Sequence, residues 1–297
     1  MNQYEPGRGI TLSTGASALF ALMSIYALLL KPLGGLDIFA WRVIWTTPGA
    51  LGVLLLRGRG AQLGALAARM VKEPRTALSL AMCAALLGSQ LWVFLWAPLH
   101  GRVLEVSLGY FLLPLAMVVV GRFYYHERLE TLQWLAVGCA AVGVAHELWA
   151  THAFSWPTLL VVFGYPPYFV LRRKINADSL TTFAVEMILL LPVAIAYAWA
   201  GGSFALLGGR PFLTFALLPG LGVISTVALA SYLKASRLLP MALFGILGYV
   251  EPVLLVIISV TVLGEHLGPG QLATYVPIWI AVALTALHSA RYVRLSR

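Results

Sequence analysis

The sequence predicts an all-α polytopic membrane protein of ten transmembrane helices, arranged as two inverted five-helix repeats. Three observations support this fold class. Of the 297 residues, 60% are hydrophobic and only 10% are charged. Ten apolar segments have about the length that a helix needs to cross a bilayer. Landmarks of the first half of the chain recur in the second half, and the predicted repeats are residues 1–150 and 151–297.

The composition excludes an ordinary soluble domain, in which about 25% of residues are charged. The mean hydropathy is +0.88. The two cysteines, Cys83 and Cys139, lie inside apolar runs, and their spacing suits neither a disulfide framework nor a zinc site. The first apolar run, residues 10–30, is longer than the signal-peptide core of about 7–15 residues, so we expect a retained membrane anchor.

The ten apolar segments are separated by Pro, Gly and charged clusters. A helix needs about 20 residues to cross the hydrocarbon core. The sixth segment is the shortest and contains Tyr165-Pro166-Pro167, where we expect the helix to be broken. The predicted spans are residues 10–30, 38–56, 76–98, 103–124, 132–150, 156–171, 180–200, 212–233, 241–263 and 271–289.

The distribution of Lys and Arg predicts the orientation of the chain. With the N-terminus inside, sixteen of the 20 basic residues fall in cytoplasmic segments. Only Lys31, Arg102 and Arg210 fall in outside loops, and Arg42 lies within a span. Basic residues collect on the cytoplasmic side of membrane proteins, so both termini are expected there. The same asymmetry accounts for the net charge of +9 without nucleic acid.

Two offsets relate the halves of the sequence. A shift of 138 residues places Pro114 on Pro252, Glu127 on Glu265 and Gln133 on Gln271. A shift of 144 residues places RVIWTTP, residues 42–48, on EMILLLP, residues 186–192. Five spans per copy would turn the second copy upside down. Inverted repeats of this kind are typical of transporters that bind substrate near the midplane between the halves.

The chain contains LEVSLGYFLLPL followed by GRFYYHERLETLQWLAV. This is the most specific of several strings, in order over nearly the whole chain, that resemble the RarD proteins, which are EamA-type permeases of the drug/metabolite transporter superfamily. The resemblance implies ten helices in two inverted halves around a central cavity, and a bacterial inner-membrane exporter or exchanger of small metabolites or drugs. The matching strings are WRVIWTTP, FLWAPLHGRVLEVSLGYFLLPL, HERLETLQWLAV, YFVLRRKI, VEMILLLPVA and LGYVEP.

The departures from that family concern polar residues. RarD proteins usually carry His at the position of Trp41, and Asn at the positions of Gln90 and Leu113. The family commonly has a small residue where this chain has Glu251. The predicted cavity has therefore lost amides and gained a carboxylate, so the family's drug specificity does not transfer to this chain.

Glu251 is the principal candidate for a functional residue. It lies near the middle of its span, where an acid costs about 2.5–3.5 kcal/mol on insertion scales and therefore avoids lipid. One interpretation is a counter-charge for a cationic solute, or a proton carrier. The other is a cap for a half-helix that begins at Pro252, since a carboxylate accepts free N–H groups. Both interpretations fit a helix that breaks or kinks at Glu251-Pro252, which is the prediction here.

Three further charges lie within or near the ends of predicted spans. Arg42 and Glu105 lie at a similar depth below the outer surface, so they are predicted to form a salt bridge. Glu186 lies toward the cytoplasmic side, within reach of Arg172, or of Lys234 and Arg237. A gating network is the functional alternative for all three.

Aromatic and amide side chains supply the remaining candidates. Belt or lipid-facing packing is the ordinary fate of a membrane aromatic. Stacking on a solute is the alternative. The side chains predicted to line the cavity, or to bind substrate with Glu251, are Tyr249, Gln90, Phe94, Tyr110 and Trp92. A structural or capping role is predicted for Glu127 and Glu265, which lie at span ends.

The motifs of an enzyme or a nucleotide-driven pump are absent from the sequence. The His-Glu pairs at 126–127 and 146–147 lack the second His of HExxH, because Glu130 and Ala150 stand there. Neither GxSxG nor a Walker or dinucleotide-binding string occurs. We therefore expect a gradient-driven secondary transporter without a cofactor, with the proton as candidate coupling ion.

The expected partners are a small-molecule substrate and membrane lipid. The sequence leaves the oligomeric state open, a monomer included. The alternatives to transport of a cationic solute are a membrane sensor or scaffold without flux, and an amino-acid-type exporter that does not use Glu251.

Overall fold

A computed structural model describes residues 6–100, 102–152, 154–261 and 269–295. Every regular element in these ranges is helical. The helices are α1 (Pro6–Leu29), α2 (Gly35–Leu56), α3 (Gly60–Lys72), α4 (Pro74–Leu99), α5 (Val103–Phe123), α6 (Thr131–Thr151), α7 (Trp156–Lys174), α8 (Ser179–Ala200), α9 (Ser203–Leu207), α10 (Leu218–Leu238), α11 (Met241–Leu247), α12 (Val250–Thr261) and α13 (Pro269–Leu295); a π-helical turn, Leu213–Leu217, leads into α10.

Eight helices in the described ranges are long and apolar enough to cross a membrane: α1, α2, α4, α5, α6, α8, α10 with its π-turn, and α13. The other two predicted spans correspond to α7, whose last turn holds three basic residues, and to the α11–α12 segment. The molecule is therefore an all-helical, multi-pass membrane protein. The count of ten spans and their inversion stay predictions.

Two short helices were not predicted. α3 lies in the basic loop between α2 and α4, and α9 lies between α8 and the π-turn. The hydropathy pattern does not show them because neither is long enough to span a membrane. α3 packs against α4 and α8, so it belongs to the folded body of the protein.

Several prolines lie inside continuous helices. The predicted break at Tyr165-Pro166-Pro167 is wrong, because α7 continues from Trp156 to Lys174 through both prolines. Pro48, Pro114 and Pro192 also lie within continuous helices. A proline removes one hydrogen bond from a helix but does not by itself end it, provided that neighbouring groups satisfy the freed carbonyl.

The contacts divide the chain into two compact units. The first contains the described residues of Met1–Ala21, Arg102–Pro166 and Lys234–Arg297, and the second contains Leu22–Gly101 and Pro167–Leu233, with Gly101 outside the description. Each unit takes segments from both halves of the sequence.

The core of the first unit joins α5, α6, α11 and α13. α6 packs along α13, and α5 packs along α11. Buried side chains on these four helices form one apolar cluster that includes Leu108, Ala140, Ile246 and Ile278. The helices approach closely at Gly143, where an added Cβ would lie 2.6 Å from the Thr274 carbonyl oxygen.

The core of the second unit is centred on α8. This helix packs against α2 and α4 and buries most of its first half. Asp178 caps its N-terminus by accepting hydrogen bonds from the N–H groups of Leu180 (3.0 Å) and Thr181 (3.4 Å). Such caps satisfy N–H groups that have no partner within the helix.

Candidate functional site

The segment of the ninth predicted span is interrupted near its middle. α11 ends at Leu247, Gly248 and Tyr249 form a turn, and α12 begins at Val250. In the turn, the N–H of Gly248 donates to the Gly245 carbonyl (2.8 Å) and the N–H of Tyr249 donates to the Ile246 carbonyl (3.1 Å). The expected break therefore exists, but its predicted position at Glu251-Pro252 is wrong by about one turn.

Pro252 explains the shift. Its ring has no N–H, and in a helix it clashes with the carbonyl of the residue four positions earlier. That residue is Gly248, so the distortion appears at Gly248 and Tyr249 instead of at the proline. Gly248 keeps right-handed helical angles, φ −59° and ψ −23°, so the interruption is a tight turn closed by bonds to the residue three positions earlier, not an unwound segment.

Glu251 lies in the first turn of α12, directly after the interruption. Its side chain is partly exposed. The N-terminus of a helix carries a partial positive charge and free N–H groups, so a carboxylate there is stabilised by the helix itself. The capping role and the counter-charge role both stay compatible with this position.

Tyr249 has a fixed environment inside the first unit. Its side chain is fully buried in the apolar cluster, and its hydroxyl donates to the Phe111 carbonyl over 2.8 Å. This bond ties the turn to α5. The described contacts of Tyr249 are structural, and its role as a substrate-binding residue stays a prediction.

The other predicted binding residues fall in different surroundings. Tyr110 is partly buried, with its ring centroid 6.2 Å from that of Tyr165. Gln90 on α4 is fully buried within the second unit. On the same helix, Trp92 and Phe94 are 39% and 51% exposed, so Phe94 does not share the burial of Gln90 four residues earlier.

Arg42 and Glu105 belong to different units. Arg42 Nε donates to Ser225 Oγ over 2.9 Å, which links α2 to α10. Glu105 pairs with Arg102 at 3.0 Å and also accepts a hydrogen bond from the Ser155 hydroxyl. The proposed bridge between Arg42 and Glu105 stays a prediction.

Glu186 lies in a fully buried polar cluster of the second unit. It forms an ion pair with Arg172, one of the three partners considered for it, and accepts a hydrogen bond from the Tyr168 hydroxyl at 3.1 Å. Arg172 also donates to the Ser179 carbonyl at 2.6 Å. The guanidinium and the carboxylate are no more than 1% exposed. The cluster links the end of α7 to the start of α8.

The predicted capping role of Glu127 is confirmed. Its two carboxylate oxygens accept hydrogen bonds from the N–H groups of Met241 (2.6 Å) and Ala242 (2.8 Å) at the start of α11. The loop after α5 is thereby fixed to the first half of the interrupted span. Glu265, its counterpart in the repeat, lies outside the described residues.

A polar network between α6 and α13 was not predicted. Thr274 Oγ1 donates to a Glu147 oxygen over 2.8 Å and lies 3.0 Å from Nδ1 of His146. Since the hydroxyl proton is used toward Glu147, the His146 nitrogen is the donor in its own contact. The His-Glu pair at 146–147 was considered only as a fragment of a zinc motif, and one sequence gives no sign that Thr274 lies opposite it.

Comparison with known proteins places the chain in a family. Residues 156–287 match the model of the EamA-like transporter family. The chloramphenicol-sensitive protein RarD of Pseudomonas aeruginosa is 48% identical over 97% of this chain and 96% of its own length. An uncharacterized transporter of Pasteurella multocida is 39% identical over 98% of both chains. Protein RarD of Escherichia coli is 30% identical over 96% of this chain and 95% of its own.

A protein of known crystal structure has a related fold. It superposes with a TM-score of 0.69, covers 96% of this chain and 98% of its own, and is 15% identical. At that identity the likeness concerns the fold alone. The full-length similarity to the RarD proteins shows the family directly: the chain belongs to the RarD family of EamA-type permeases in the drug/metabolite transporter superfamily.

Proposed function

We propose that the protein is a secondary active transporter that moves small cationic or amine-bearing organic solutes by alternating access, with Glu251 as the counter-charge. The observation that carries this proposal is the interruption of the ninth span at Gly248-Tyr249, with a carboxylate in the first turn of the helix that follows. Broken helices near the membrane midplane commonly form the binding sites of transporters.

The helix pairs of each unit support the repeat on which alternating access depends. If the spans are numbered from one to ten, the second is α2 and the seventh is α8, and these two helices pack together. The fourth and ninth (α5 and α11) also pack together, as do the fifth and tenth (α6 and α13). Each pair joins equivalent members of the two predicted repeats, an arrangement that a two-fold axis between the copies would produce.

The proposed cellular setting is the bacterial inner membrane, with both termini in the cytoplasm. The asymmetry of Lys and Arg supports this orientation. A cysteine in the α2–α4 loop would then be protected from an impermeant reagent added outside, while one in the loop around Arg210 would react. Equal labelling from outside at both positions would contradict the orientation.

The experiment that tests the proposed function is uptake by the purified chain in liposomes. A panel of radiolabelled amines, neutral solutes, amino acids and chloramphenicol, which the name of one relative mentions, is tested with and without an imposed pH gradient. A transporter gives saturable, gradient-dependent uptake of amines in preference to the other classes. Absence of flux for every class, with a folded protein shown by a cooperative thermal transition, would favour a sensor or scaffold.

A further inference from the structure

α3 is held against the α7–α8 loop and the start of α8 by polar side chains on one of its faces. Arg59 forms an ion pair with Asp178 at 2.7 Å, and Arg69 donates to the Asn176 carbonyl at 3.2 Å. The Thr181 hydroxyl donates to the Gln62 amide oxygen over 3.3 Å. At 100° per residue, positions 59, 62, 66 and 69 lie on one side of the helix, and Leu66 is buried there. These contacts fix the rotation of α3 about its axis.

The fixed rotation determines which residues of α3 form its opposite face, and that face is exposed. It carries Ala61, Gly64, Ala68, Val71 and Lys72, all of which are exposed. A methyl group added at Gly64 would meet no other atom within 4 Å. The outward face is therefore an open surface that is apolar except for one cation.

Two large apolar side chains, one on this face and one at the end of α2, are almost fully exposed. Val71 is 87% exposed, and Leu56, the last residue of α2, is 90% exposed. α3 connects the end of one apolar helix, α2, to the start of another, α4. Its two ends are thus held at the boundary of the membrane, where exposed apolar side chains can enter the lipid.

Three cations lie at the two ends of α3. Arg57 and Arg75 flank α3, and Lys72 ends it; all three are exposed, and none has an ion-pair partner among the residues that the structure describes. The nearby acids are already engaged, because Glu73 pairs with Arg69 at 2.8 Å and Asp178 pairs with Arg59. The charge presented by this face is therefore positive, which complements anionic lipid headgroups.

We propose that α3 lies on the membrane surface and binds the anionic headgroups of phospholipids through Arg57, Lys72 and Arg75, with Leu56 and Val71 inserted among the acyl chains. Basic amphipathic helices bind anionic membranes in this way, because anionic headgroups attract basic residues near the surface. The site recognises a lipid and is separate from the interrupted span.

The test places a fluorophore on the proposed lipid face. Val71→Cys is introduced in a chain with Cys83→Ala and Cys139→Ala, labelled with NBD and reconstituted in phosphatidylcholine vesicles with one part in five of phosphatidylglycerol. Two vesicle preparations differ only in which lipid carries brominated acyl chains. The measured quantity is quenching by the brominated phosphatidylglycerol relative to the brominated phosphatidylcholine, normalised to mole fraction.

We expect quenching by the anionic lipid to exceed quenching by the neutral lipid about fivefold or more. The triple variant Arg57→Gln, Lys72→Gln, Arg75→Gln should bring the ratio close to one. The control is a second triple variant, with Lys31→Gln, Arg128→Gln and Arg210→Gln. It removes the same charge from other exposed positions and should leave the ratio unchanged. Should the triple variant fail to fold, about 1 M salt on the labelled parent should lower the ratio, because it reduces the Debye length to about 3 Å.

Two outcomes would overturn the proposal. Equal quenching by both lipids in the parent would show that the face meets lipid without selecting anionic headgroups. Quenching by neither lipid would show that the face meets water or another protein instead of the membrane.

Discussion

Arg172 and Glu186 show how a charged pair is maintained inside an apolar protein. Both side chains are removed from solvent, and each makes a further hydrogen bond: Tyr168 donates to the carboxylate, and the Ser179 carbonyl accepts from the guanidinium. Removing one member of such a pair leaves a buried charge without compensation, while replacing both by apolar groups is often neutral. Because both residues lie in one compact unit, the geometry favours a structural role over a gate.

A double-mutant cycle on this pair distinguishes the two roles. Glu186→Leu alone should lower stability by about 3–5 kcal/mol, because the Arg172 charge stays buried. Arg172→Met with Glu186→Leu should recover most of that loss and retain uptake. Stability is measured by thermal unfolding in detergent, and uptake is measured separately in liposomes. Recovered stability without recovered uptake would indicate a gate.

Asp178 joins the cap of α8 to the docking of α3, and its pKa predicts a pH dependence. Partial burial acts to raise the pKa of this carboxyl, but the Arg59 charge, the Arg59 hydrogen bond and the N–H groups of Leu180 and Thr181 outweigh it, so the pKa lies below its ordinary value of 3.8. A carboxyl whose pKa is lowered by folding stabilises the fold at pH values above its pKa in the unfolded chain. That contribution is lost as the pH falls through its pKa in the folded protein.

We therefore expect α3 to loosen from α8 as the pH falls below about 4. Hydrogen exchange of the α3 amides should accelerate in that window, while that of α6 should not. Asp178→Asn should show fast exchange already at neutral pH and little further change with acid. Exchange in α3 that is independent of both pH and Asp178→Asn would contradict this account of the docking.

At the scale of elements, the interrupted ninth span shows what proline and charge patterns can and cannot predict. The break could be predicted, because Pro252 cannot donate and Glu251 cannot face lipid. Its position about one turn earlier could not, because Pro114, the repeat counterpart of Pro252, lies in an unbroken α5. A proline alone therefore does not determine whether, or where, a helix is interrupted.

Gly245 allows α11 to lie directly against α5. A Cβ at this position would lie 2.6 Å from the Met117 Cβ and 2.9 Å from the Pro114 carbonyl oxygen. Neither neighbour is the flexible end of a side chain, so Gly245→Ala should destabilise the protein by about 1–3 kcal/mol. Gly138→Ala on α6 is the control, because a Cβ there meets nothing and alanine favours the helix by up to about 1 kcal/mol.

Thermal unfolding of both variants measures the difference. We expect the transition to fall for Gly245→Ala and to stay or rise for Gly138→Ala. An unchanged transition for Gly245→Ala would mean that α5 and α11 are farther apart than described.

At the scale of the whole molecule, hydropathy predicts membrane spans but not their partners. Seven of the eight helices that qualify as spans begin and end within about five residues of the predicted segments, because apolar length is a direct property of the sequence. α3 was missed, since its loop was considered only for its charge. The interleaving of both halves in each compact unit was also missed, because one sequence does not say which apolar faces meet.

The candidate site was predicted less completely than the fold. Single charges such as Glu147 and Glu186 stand out in an apolar chain, but the hydroxyl groups that engage them belong to residues that are ordinary in any sequence. Tyr168 and Thr274 belong to this class, and only the tertiary structure shows their role. The central claim concerns Glu251, whose place in the first turn of α12 suits both a cap and a counter-charge.

The most direct test is Glu251→Gln, which keeps the shape of the side chain and removes its charge. Uptake of the best amine from the panel is measured in liposomes across a pH series, for the parent and the variant. Glu147→Gln, which changes another partly buried carboxylate of the first unit, is the control. We expect Glu251→Gln to lower uptake about tenfold or more and to flatten the pH profile of uptake, while the thermal transition is retained. Glu147→Gln should keep the uptake and the pH profile of the parent. Unchanged uptake with an unchanged pH profile in Glu251→Gln would show that the carboxylate only caps α12 and would contradict the claim.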